Sequence, residues 1–94
     1  MKKFIILIPI FNDRESLTKL IEDINFEVKD LTSQISIIVV NDASSQQIID
    51  NYPNIENINS IEIINMKENR GHTRCIASGL KYIFEKKEFD YVMP

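Results

Sequence analysis

The sequence predicts an α/β domain, a parallel sheet wound as β-α-β-α-β-α-β, and three observations predict it. Continuous apolar runs recur along the 94 residues, stretches with helical apolar spacing lie between them, and polar clusters follow the first three runs. Strands that are apolar throughout belong to a sheet covered on both faces. Their alternation with helices makes that sheet parallel, built from right-handed β-α-β units.

Residues 4–10, FIILIPI, read as the first strand. Lys2 and Lys3 precede it as they would in a secretory leader, but Pro9 and then Asn12-Asp13 cut the run after about seven residues, and no small-residue cleavage site follows. Leu17, Leu20, Ile21 and Ile24 then recur at the spacing that gives a helix one oily stripe. Asn12 stands three residues before Glu15, a capping-box spacing, so this helix should start within one residue of Asp13. Residues 35–40 form the second strand. After NDASS, residues 46–51 read as a short second helix and YPNIENINS as a polar connector broken by proline. Residues 61–66 make the third strand. Ile76, Leu80, Ile83 and Phe84 keep helical spacing for a third helix, and residues 91–93 begin a fourth strand. The first strand should sit between the second and the fourth. So short a fourth strand leaves an apolar edge poorly covered, which favours association and fast amide exchange.

Composition narrows the function. A chain of this size, residues 1–94, is one domain or part of one, with a thin core. The net charge of -3 offers no basic field for nucleic acid. Cys75 has no partner for a disulfide or a zinc site, which fits a reducing compartment and packing as a small apolar residue. No segment reaches the roughly 18 apolar residues that a membrane span requires, so the expectation is a soluble, cytoplasmic chain without membrane contact.

The clusters PIFND, NDASS and NMKENRGH each follow a strand and so emerge on one edge of the sheet, the edge where parallel α/β sheets bind ligands. Each cluster has a local explanation too. Asn12, Asp42 and Ser44 are good helix N-caps, Phe11 can close the first loop against the core, and NRG can be a turn in which Gly71 supplies a positive φ beside a solvated Arg70. No GxGxxG, Walker lysine, CxxC or HExxH motif is present, which removes the common dinucleotide, P-loop and zinc readings.

Taken together, IPIFNDRESLTKLI, IIVVNDASSQ and ENRGHTRCIASGLKY, in this order on successive strand ends, resemble the N-terminal, nucleotide-sugar-binding half of a family 2 glycosyltransferase. The resemblance covers essentially the whole chain and implies the Rossmann-like GT-A fold, here incomplete. In that family the first loop usually reads Pro-x-Tyr-Asn-Glu; Phe11 stands here for the tyrosine and Asp13 for the glutamate.

The resemblance implies a nucleotide-binding set of Pro9, Phe11, Asn12, Asp13, Asp42, Gly71 and Arg74. Phe11 matches the aromatic that lies against the base, which needs a π face and no hydroxyl. Asp42 matches the carboxylate that accepts a base N–H, favouring uracil or guanine. Asp13, following Asn12, matches the loop acid near the nucleotide. Gly71 matches the glycine that lets the third loop approach, and Arg74 a basic position facing base or phosphate, with Arg70 and His72 as further basic neighbours.

The resemblance also implies an inverting, metal-dependent transfer from a nucleotide-sugar donor, with Mg²⁺ or Mn²⁺ held by an Asp-x-Asp motif just past the fourth strand. The sequence ends at DYVMP without that motif, so no catalytic or metal-ligating residue is assigned. The chain reads as truncated from a longer parent, for which attachment to the cytoplasmic side of a membrane stays open, and as inactive alone. A non-catalytic nucleotide-binding module is the alternative. A regulatory domain of the phosphoacceptor type, suggested by Asp42 after an apolar strand, comes third: it wants an acidic pair after the first strand and a phosphorylatable aspartate after the third, where the loop offers Asn65, Glu68 and Asn69.

Overall fold

The computed structural model describes residues 1–48, 52 and 55–94. Its elements run β1 (Lys3–Ile10), α1 (Arg14–Glu27), β2 (Gln34–Asn41), β3 (Ser60–Asn65), α2 (His72–Lys86) and β4 (Tyr91–Met93). The four strands are all parallel and lie in the order β3-β2-β1-β4, with β1 inside as its unbroken apolar character requires.

Neighbouring residues of β2 face opposite sides, and both sides are covered. Ile37 and Val39 pack with Leu17 and Ile21 of α1, whereas Ile38 and Val40 pack with Cys75 and Ile83 of α2. The four β2 residues named are 0–2% exposed, which accounts for a run with no polar alternation.

Two features differ from the sequence reading. Gln46, Gln47 and Ile48 lie outside any helix, and residues 49–51 of the expected second helix fall outside the described residues. Tyr52 and Ile58 of the connector are buried instead in the core on the α1 side. Asn25 of α1, only 6% exposed, holds this connector: its Oδ1 accepts the Asn57 N–H at 2.8 Å, and its carbonyl accepts Asn57 Nδ2 at 3.1 Å. The second difference is in α2. Its buried residues are Cys75, Gly79 and Ile83, while Phe84 of the expected stripe is 66% exposed. A Cβ on Gly79 would lie 2.5 Å from Leu7 Cδ1 and 3.0 Å from Val40 Cγ2, so the missing side chain is what lets α2 settle onto β1 and β2.

The β1–β4 pairing joins Phe4 to Tyr91, Ile5 to Val92 and Ile6 to Met93, leaving the second half of β1 without a neighbour on that side among the described residues. Lys3 N–H donates to Asp90 Oδ2 at 2.7 Å, and Asp90 N–H donates to the Lys3 carbonyl at 2.8 Å, which starts the pairing. Tyr91 and Met93 remain 51% and 60% exposed, consistent with an edge that is only partly covered. No helix among the described residues is long and apolar enough to cross a membrane.

Candidate functional site

Because the strands are parallel, the loops that follow β1, β2 and β3 share one rim. Each contains one residue in a positive-φ conformation: Asn12 at 50°, Ala43 at 59° and Gly71 at 87°. Glycine takes such a φ without strain, asparagine tolerates it, and alanine does so at a cost. The backbone therefore reverses sharply after each of the three strands.

Hydrogen bonds join the loops in sequence. Asn12 N–H donates to Ser44 Oγ at 2.8 Å, and Asn12 Oδ1 accepts Ser45 N–H at 2.8 Å, Ser45 Oγ at 3.1 Å and Gln46 N–H at 3.3 Å. Arg14 N–H adds a bond to Gln46 Oε1 at 3.1 Å. These contacts bind the first loop to the second. The capping-box role expected of Asn12 is not formed: the N-cap of α1 is Asp13, and it makes no side-chain cap bond. With residues 46–48 outside a helix, the loop N–H groups need acceptors, and Asn12 supplies one.

Asp42 joins the second loop to the third. Its Oδ1 accepts Arg70 N–H at 2.7 Å and its Oδ2 accepts Gly71 N–H at 2.9 Å, directly ahead of α2. Asp42 does not cap a helix of its own, since residues 43–48 lie outside any helix; it holds the two N–H groups just ahead of α2, some thirty residues downstream, near the positive end of that helix's dipole. Below these bonds, Asn41 Nδ2 donates to Asn65 Oδ1 at 2.9 Å and Asn41 Oδ1 accepts Ser44 N–H at 3.1 Å.

The electrostatics follow from this geometry. The bond from Arg70 N–H is the main reason the Asp42 carboxyl lies below its ordinary value; burial opposes it, and bonds from Cys75 and Gly71 assist. Asp42 is 4% exposed, so its charge is held by donors and not by water. Burial, followed by the neighbouring Asp42 carboxylate, pushes the Cys75 thiol up to about 11, so Cys75 stays protonated and donates to Asp42. The sequence reading of Cys75 as a buried apolar residue holds at 0% exposure, and the bond to Asp42 is additional.

Phe11, half exposed and so not closing the loop against the core, stands between two concavities. A cavity of about 80 Å³ on the α2 side is lined by Pro9, Ile10, Phe11, Asp42, His72 and Cys75. One of about 200 Å³ on the α1 side includes Pro9, Phe11, Asp13 and Leu20. The smaller falls below the roughly 300 Å³ at which whole small-molecule sites begin, so it suits one edge of a planar group.

Pro9, Phe11 and Asp42 therefore meet around one notch, and Gly71 joins them through its bond to Asp42. Asp13 lines the other concavity, and Asn12 is engaged with the second loop. Arg74, in the first turn of α2, lines neither; His72 lines the notch instead. Arg70 contributes its backbone N–H, while its guanidinium lies 3.5 Å from Glu68. The clasp residues Ser44, Ser45 and Gln46 had no binding signal in the sequence beyond their polarity after a buried strand.

A divalent cation does not fit the donor set present: among the described residues no three His, Cys, Asp or Glu side chains cluster to hold one, and the Asp42 oxygens already accept N–H groups.

Residues 5–93 match the sequence model of glycosyl transferase family 2. No curated protein and no solved structure matches the chain.

Proposed function

The chain belongs to glycosyltransferase family 2, whose chemistry is glycosyl transfer, and we propose that it supplies the surface on which the nucleotide-sugar donor is bound. The reading rests chiefly on one juxtaposition: a carboxylate 4% exposed at the end of a notch whose wall is a half-exposed phenyl ring. A base laid on Phe11 gains stacking, and an N–H on its edge meets Asp42, which accepts two backbone bonds and a thiol bond and retains acceptor capacity for one more. Uracil and guanine carry such an N–H. Gly71 keeps the third loop free of a side chain there, and His72 and Arg74 offer cationic or hydrogen-bonding groups towards the diphosphate.

In the transfer we propose, the acceptor hydroxyl oxygen attacks the anomeric carbon from the face opposite the leaving diphosphate and gives up its proton to a general base, the bond to the diphosphate oxygen breaks with its electron pair, and the configuration inverts. The described residues bind and orient the donor end of that reaction. No step is assigned to a metal or a base on them.

A non-catalytic nucleotide-binding module is the second reading, favoured by the lack of a metal-holding cluster among the described residues. Calorimetric titration with uridine and guanosine diphosphate, with adenosine diphosphate as control, tests the site. Binding of either of the first two, weakened by Phe11→Ala, is expected; equal binding of all three with no effect of Phe11→Ala would remove the base-reading role. Hydrolysis of a sugar nucleotide, with and without Mn²⁺, separates enzyme from module.

A further inference from the structure

We infer that Asn12 is a positioning residue of the donor site, acting through the second loop to aim Asp42. The inference rests on the donor-site reading above.

Asn12 makes more hydrogen bonds across the rim than any other side chain described there. Its amide oxygen takes three donors from Ser45 and Gln46, at 2.8, 3.1 and 3.3 Å, and its own N–H is held by Ser44. A carboxamide oxygen has two lone pairs, so no acceptor is left there for a ligand. Nor does its side chain cap α1, which has no side-chain cap bond at its start. The φ of 50° turns Asn12 out of line with β1 and towards the second loop, and asparagine is one of the few residues that tolerates this conformation.

The consequence reaches Asp42 through a short path. The second loop is fixed at one end by β2, where Asp42 N–H donates to the Ile10 carbonyl at 2.8 Å, and at the other by Asn12. Between them Ala43 is forced to a φ of 59°, a strained value for alanine. Releasing Ser45 and Gln46 removes part of what holds Ala43 there, leaving the bonds at Ser44 from Asn12 N–H and to Asn41 Oδ1. The Asp42–Ala43 peptide then relaxes, the carboxylate loses its aim at Arg70 and Gly71, and the third loop loosens. The first loop thus bears on the third through the second, by the Asn12 bonds on one side and the Asp42 bonds on the other.

The test uses the isotope-labelled chain and three variants, with uridine and guanosine diphosphate as probes. Asn12→Asp keeps an acceptor oxygen and tolerates the backbone conformation. Asn12→Gly keeps the conformation and removes the acceptor, and Asn12→Ala loses both. Without nucleotide, Asn12→Gly and Asn12→Ala should shift the amide resonances of Ser45 and Gln46 and also those of Arg70 and Gly71, whereas Asn12→Asp leaves all four near their original positions. Nucleotide affinity should fall by about tenfold or more in the glycine and alanine variants, the scale of one lost hydrogen bond, with Asn12→Asp within about twofold of the original. Asn12→Gly that binds like the original chain, Asn12→Asp that binds as weakly as Asn12→Gly, or unmoved Arg70 and Gly71 amides would each overturn the inference. If the original chain binds neither diphosphate, the donor-site reading fails, while the Arg70 and Gly71 shifts in nucleotide-free Asn12→Gly still decide whether Asn12 aims Asp42.

Discussion

Asp42 accepts the backbone N–H of Gly71 at 2.9 Å, so a carboxylate at the end of one buried strand fixes the turn that begins a distant helix. A polar group placed here without partners would be costly, because it is almost entirely shielded from water. With two backbone donors and a thiol around it, the charge is stable, and the third loop has one defined position. The same atoms therefore serve the fold and, in the proposed reading, the base.

Asp42→Asn separates those two roles. The amide cannot accept both backbone N–H groups, so the melting temperature should drop and the Arg70 and Gly71 amides should exchange faster. If Asp42 also meets the base, affinity for uridine or guanosine diphosphate falls about 10- to 100-fold, the range for a hydrogen bond to a charged group. Calorimetry on the folded fraction decides; unchanged affinity with lowered stability would leave Asp42 as a cap alone.

Stability should be flat across neutral pH and fall in acid. The Asp42 carboxyl is held below 3.8, mainly by Arg70 N–H. For Glu62, burial pushes upward, but bonds from Tyr82 and Lys87 and the Lys87 charge together take it below 4.5. A carboxyl whose folded value is lowered stabilises the fold at pH above its unfolded value, and that contribution disappears as pH falls through the folded value. Thermal melts between about pH 8 and pH 2 should show the loss setting in below about pH 4, and Asp42→Asn should reduce it. Greater stability on acidification would contradict the assignment.

Ala43→Gly should stabilise the chain. Alanine at a φ of 59° carries backbone strain that glycine relieves, offset in part by glycine's larger entropy loss, for a net gain of about 0.5–1 kcal/mol in denaturant unfolding. A loss of stability would mean that the alanine methyl makes a contact worth more than the strain.

Gly79→Val should destabilise by about 2 kcal/mol, the cost of overpacking where Leu7 and Val40 already occupy the space. A compensating Leu7→Ala in the same background should recover part of the loss, because the added side chain would then have room. Chemical denaturation of the single and double variants measures both.

The strands were legible because their cause is local: a stretch buried on both faces must be apolar without alternation, as residues 4–10 of β1 and 37–40 of β2 are. The common rim follows, since parallel strands put successive loops at one end. The face of α2 was read less well. Apolar spacing selected Ile76, Leu80 and Ile83, which do pack on the core, and Phe84, which is exposed; it passed over Cys75 and Gly79, and a glycine that matters for the space it leaves has no hydropathy to detect.

Asn12, in the same way, carried a good capping signal, but its real partners are 32 to 34 residues away. A spacing rule for helix starts sees only the next turn. Asp42 drew notice as a carboxylate after a buried strand, yet the N–H groups of Arg70 and Gly71 that explain its burial lie far along the chain and show no side-chain signature.

The pairing of β1 with β4 bears on how the sheet comes together in time. Lys3 and Asp90, 87 positions apart, exchange bonds at the start of that ladder, while Lys3 meets Gln34 on the other side. Closing the longer loop adds entropy cost, at about 0.6 kcal/mol for each doubling of length, and such non-local pairings slow folding. During synthesis β1 leaves the ribosome early but gains its second neighbour only after both helices have been made. Until then the most apolar strand of the sheet presents an open side, and chaperone engagement is the natural protection for that interval.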